Sequence, residues 1–135
     1  MTVTWKKLVL AGSTSTVKTT LSFAVVGTLT TGNDKAPTLL APCALTIDKV
    51  KVVVKTAPTG AALIIDVNKG GTTIFTTQGS RPSIAIGDTV DDSDTPDVTA
   101  LAEGDKLTID IDQIGSTIAG ADLTVEVVCN QIVTL

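Results

Sequence analysis

The chain has 135 residues, 43% of them hydrophobic and 18% charged, with a net charge of −4, and one domain of this size buries about two-thirds of its unfolded surface. It is too apolar for a disordered chain, and no apolar run approaches the ~20 residues of a membrane helix. Its ten basic residues are scattered and leave no footprint for a phosphate backbone, so neither a membrane nor a nucleic acid is expected as partner. With no His, no Tyr, one Trp and two Phe, the chain lacks His-based catalysis, His-ligated metals and most of the aromatic platform on which a sugar or base stacks. No cofactor is expected.

From Met1 the opening carries two lysines, but its apolar stretch, Leu8 to Ala11, is too short for the core of a signal peptide. Trp5 and Leu8 to Leu10 precede the run Gly12-Ser13-Thr14-Ser15-Thr16, so residues 1–20 are expected to form an arm and flexible linker ahead of a β-domain over 21–135. Gly12 to Thr19 falls one residue short of a phosphate-binding loop, because Val17 stands where the second Gly is needed and no helical pattern follows. Ser15 and Lys18 have the spacing of a Ser-x-x-Lys acyl-transfer pair, but its partner motifs are missing.

Frequent Thr, Val and Ile, punctuated by Gly and Pro, favour strands over helices. Leu21 to Leu29 is a first strand, followed by a turn-rich loop from Thr30 to Pro37. Next, Cys43, Leu45 and Ile47 share one parity and Val50, Val52 and Val54 the other. Both sets can be buried only if one extra residue enters, so a bulge or bend is expected near Asp48 and Lys49. Ala57 to Gly60 is a turn. Ala62 to Asn68 then pairs with Thr72 to Thr76 across Lys69-Gly70-Gly71, the strongest hairpin signal in the chain. Ser83 to Ile86 and Asp97 to Leu101 are short strands flanking an acidic loop, Asp88 to Thr95. Lys106 to Gln113 and Leu123 to Ile132 alternate cleanly, the latter with Leu123, Val125, Val127 and Cys129 inward. About eight short, regularly spaced strands predict an all-β sandwich or barrel.

Two carboxylate groups invite chemistry. Asp110 and Asp112 share a strand face, as an acid–base pair would, but alternation with Ile109 and Ile111 places them on a solvated face. Asp88, Asp91, Asp92 and Asp94 offer oxygen ligands for Ca²⁺ but lack the Gly and terminal Glu of an EF-hand loop. Cys43 and Cys129 are far apart in sequence, show no CxxC spacing and are expected to be reduced, buried thiols.

The stretch Leu45 to Gln131, and within it Lys55-Thr-Ala-Pro-Thr-Gly60, Asp66-Val-Asn-Lys-Gly-Gly71-Thr, Ile74-Phe75, Arg81-Pro82 and Leu101-Ala-Glu-Gly-Asp-Lys-Leu107-Thr-Ile-Asp, resembles a β-sandwich module of tailed-bacteriophage virion proteins. The opening Thr4-Trp5-Lys6-Lys7-Leu8 is similar to the start of many phage structural proteins. The resemblance implies an antiparallel jelly roll used as a building block, with no catalytic residue to carry over. One sandwich with an arm fits a capsid decoration (cement) protein that binds the major capsid protein or other virion proteins at the head surface. A homotrimer is the expected form. The alternative is a tail or fibre module that recognises a host receptor or glycan.

The residues expected at the protein interface are Trp5, Leu8, Val9 and Leu10 on the arm and Ile132, Val133 and Leu135 at the far end. The competing assignment has them complete the sandwich's own core or edge.

Overall fold

A computed structural model describes residues 12–134. The alternating segments form ten strands: β1 (Thr14–Thr28), β2 (Leu39–Leu40), β3 (Leu45–Thr56), β4 (Leu63–Lys69), β5 (Thr72–Thr73), β6 (Ser83–Ile84), β7 (Val90–Asp92), β8 (Ala100–Leu101), β9 (Lys106–Gln113) and β10 (Ala121–Thr134). One 3-10 turn spans Gln78–Ser80. The strands make two antiparallel sheets. The first has the order β1-β10-β3-β7, with β8 also on β3; the second has the order β2-β9-β4-β5, with β6 also on β4. The expected all-β antiparallel sandwich is what the chain forms.

The core lies between the inner faces. Leu45, Ile47, Val50, Val52 and Val54 of β3 and Leu123, Val125, Val127 and Cys129 of β10 are all buried, facing Leu63, Ile65, Val67, Leu107, Ile109 and Ile111 of the second sheet. Phe75, fully buried, and Phe23 add the bulk that Tyr and Trp supply elsewhere. The change of parity in β3 is absorbed where expected. Val128 pairs with Lys49 and Cys129 with Ile47, which leaves Asp48 as the unpaired extra residue. Just past it, Val50 donates its N–H to Ser93 Oγ at 2.9 Å and accepts the Ser93 N–H at 2.8 Å, so the bulge is tied to the segment after β7.

The hairpin is also as expected, but shorter. Lys69 pairs with Thr72 across Gly70 and Gly71, whose φ values of +58° and +85° fit a tight turn open only to residues that tolerate the left-handed region. Its return strand ends at Thr73, because Ile74 and Phe75 turn into the core.

Two expectations are corrected. Residues 14–20, expected as linker, are the first half of β1: Thr14 pairs with Thr134 and each residue to Thr20 pairs with β10 in register. A long strand partner stabilises the β-branched Thr residues as strand, where composition alone suggested a flexible run. The acidic stretch is likewise not wholly loop, since Val90 to Asp92 pairs with Lys51 to Val53 as β7. With β2, this raises the strand count from about eight to ten among the described residues.

Candidate assembly surfaces

β10 outruns β3. Its pairing with β3 ends at Asn130, while its pairing with β1 continues to Thr134, so Thr14–Val17 and Gln131–Thr134 form a two-stranded ribbon at one end of the molecule. Two of the expected interface residues sit there. Ile132 points outward and is 68% exposed, and Val133, on the inner face, is half-buried. Ile132 borders an open groove of about 300 Å³ lined also by Leu45, Ala100, Leu101 and Asn130. The groove is shallow and mostly apolar, with no converging polar groups of the kind that orient a small ligand. Trp5, Leu8, Val9, Leu10 and Leu135 lie outside the described residues.

At the opposite end, Ile86 and Ile118 are exposed beside the turn at Pro58 and Thr59: Gly87 N–H donates to the Pro58 carbonyl at 2.9 Å, and Thr59 pairs with Ile118. Gly115 packs beneath this contact. On the outer face of the first sheet, Val53 and Val90 are exposed as cross-strand partners.

The carboxylates form a structural clamp on the second sheet. Asp110 accepts the Asp34 N–H at 2.8 Å and the Asn68 side-chain amide at 2.7 Å, and Asp112 pairs with the Arg81 guanidinium. Asp66, opposite Asp110 in register, is only 7% exposed and accepts from Val67 N–H at 2.8 Å and Thr73 Oγ1 at 2.7 Å. Alternation with Ile65 and Val67 points Asp66 away from the core, and nothing local in the sequence signals that flanking segments close over it. Burial pushes its carboxyl above the ordinary range and nearby Asp112 adds to this, against the Thr73 and Val67 hydrogen bonds and the Arg81 charge. A carboxyl whose native pKa is raised contributes stability below its unfolded pKa that is lost as pH rises through the native pKa. Asp66→Asn keeps an oxygen to accept both hydrogen bonds. It should raise the melting temperature at neutral pH, and melting curves across acid pH should show this advantage shrinking as wild-type Asp66 protonates.

In the acidic stretch two carboxylates are engaged by separate partners: Asp91 accepts the Ser83 N–H at 2.7 Å, and Asp92 pairs with Lys49 at 2.8 Å. The Asp92 hydrogen bond and charge hold the Lys49 ammonium above its usual range. Among the described residues no three His, Cys, Asp or Glu side chains come together to hold a metal ion. Both cysteines are free thiols. Burial, with a smaller contribution from Cys43, pushes the Cys129 thiol up to about 11, so it stays protonated at neutral pH.

No protein-family model, curated protein or solved structure matches the chain.

Proposed function

We propose that the chain is a structural subunit of a tailed-phage virion, a decoration protein that stabilises the head shell by binding capsid subunits as a homo-oligomer. The observation that carries this reading is the strand order. β10 sits between β1 and β3, β9 sits between β2 and β4, and the chain alternates between sheets from β1 to β4. Rolling one long antiparallel ribbon on itself would give such an order, which supports the jelly roll implied by the resemblance of Leu45 to Gln131 to phage virion modules. The distribution of exposed apolar groups supports it further. Val17, Val26, Ile86, Ile118 and Ile132 are spread over a sheet edge and the two ends, where neighbouring subunits would cover them.

Mechanism then rests on association. The sandwich is the rigid body, and the arm with Trp5, Leu8, Val9 and Leu10, together with Ile132, Val133 and Leu135, covers apolar surface on shell subunits. Binding to the closed shell and not to the opened one stabilises the closed form by mass action.

The test is co-sedimentation of the purified chain with undecorated heads of the phage that encodes it. The full chain should pellet with the heads. A chain lacking residues 1–11 should stay in the supernatant while keeping a β-type far-UV spectrum, and retained binding would refute the arm's role. Failure of the full chain to bind heads, with retention on a glycan array, would replace this reading by the tail-module one.

A further inference from the structure

We propose that β1 is a dimerisation edge, pairing antiparallel with β1 of a second copy so that the first sheet continues across a two-fold axis. β1 ends the order of its sheet, and among the described residues its only strand partner is β10. It runs for 15 residues, against a mean strand of about 5–6. Long open edges are normally guarded by Pro, bulges or outward charges. β1 has no Pro, and its single irregularity lies near its far end, between Val25 and Thr28. Its one charged residue does not guard the edge: Lys18 reaches back over β10 to Asp48 of β3, with Nζ 2.7 Å from the carboxylate.

The side chains along this edge are left half-finished. Leu21 and Val25 face the core yet are only partly buried, whereas their partners on β10, Val127 and Leu123, are fully buried, and Val17 is 46% exposed. The occupant that fits is the same edge. An antiparallel pair of strands related by a two-fold axis normal to the sheet keeps inner faces on one side, and full overlap of Thr14–Thr28 centres the axis on Leu21. Leu21 then opposes Leu21, Val17 opposes Val25, and Val26, 87% exposed, opposes Thr16. Lys18 opposes Ala24, which leaves the two Lys18 residues about 20 Å apart and free of mutual repulsion. An edge about 50 Å long and about 10 Å deep covers about 500 Å² on each copy, near the lower end of what specific complexes bury.

This goes beyond the shell-binding reading and replaces a threefold assembly with a twofold one; because it is measured on the isolated protein, it can fail while that reading stands. Sedimentation equilibrium of the full chain should give twice the 13.8 kDa chain mass. Ala24 is exposed, so charge there leaves the fold alone, as far-UV spectra and melting of each variant will show. Ala24→Lys sets two like-charge pairs against Lys18 and should raise the dimer dissociation constant about tenfold. Ala24→Glu should lower it, and Lys18→Glu combined with Ala24→Lys should restore it. A monomer at every concentration, a trimer, or a dimer indifferent to the charge at residue 24 would overturn the proposal.

Discussion

Deleting Lys51 is expected to leave the chain unfolded, whereas deleting Asp48, three residues earlier on the same strand, is expected to leave it folded. β3 buries Leu45, Ile47, Val50, Val52 and Val54 only because Asp48 is an unpaired extra residue. Without Asp48 the sequence reads Leu45-Thr-Ile-Lys-Val50, a regular alternation with the same apolar set inward. Only the exposed ion pair to Lys18 is lost. Without Lys51 no register succeeds. Keeping the bulge sends Lys55 into the core in place of Val54, and removing it buries Lys49 in place of Val50. Burying a lysine while exposing a core valine costs upward of about 5 kcal/mol, comparable with the whole stability of a domain. Far-UV and thermal melts of the two deletions would check this directly, and a cooperatively folded Lys51 deletion would contradict the register.

The second large effect is expected at Gly115. Its Cβ, if present, would lie 1.8 Å from the Ile118 carbonyl oxygen and 2.8 Å from both Thr59 N and O. Relief requires the 114–119 loop to open between Gly115 and Ile118, where Gly115 N–H donates to Ala119 at 3.1 Å, and to draw back from the turn at Thr59, where Thr59 N–H donates to Ile118 at 2.9 Å and Thr117 N–H donates to Thr59 at 3.0 Å. Gly115→Ala should cost about 3–4 kcal/mol through these lost hydrogen bonds and the disturbed packing beneath them. Gly104→Ala is the control. At φ +84° with nothing within 4 Å of the added carbon, it should cost only the left-handed backbone penalty of about 1–2 kcal/mol. Denaturant melts of both variants give the comparison.

These contrasts show what was legible in the residues. Period-two alternation located β9 and most of β10, and the parity switch between Ile47 and Val50 located the bulge, because burial leaves a local mark every second residue. The Asn-Lys-Gly-Gly turn was legible for the same reason: few residues adopt its backbone. Features set by a distant partner were not. The Ser/Thr run before Leu21 is strand because β10 extends beside it, and Val90 to Asp92 is strand because β3 lies alongside. Asp66 carries no local sign of its burial. Ile132 and Val133 fall at the end of β10, at the tip of a ribbon that only the sheet order reveals. That β1 pairs only with β10 among the described residues was hidden too, since alternation names strands but not their neighbours.

Acid behaviour follows from the same contacts. Asp48 is lowered mainly by its hydrogen bond from Lys18, Asp97 by the Thr77 N–H and Asp105 by the Ala102 N–H. Carboxyls held below the ordinary range contribute stability that is present above the unfolded pKa and lost as pH falls through the native one, opposite in sign to Asp66.

The claim on which the functional account depends is that this chain works by settling on a shell. Imaging of intact particles at subunit resolution tests it most directly. The account predicts density for the sandwich on the outer head surface, with its chain-terminal end against capsid subunits. Density confined to the tail, or particles that never contain the chain, would contradict it.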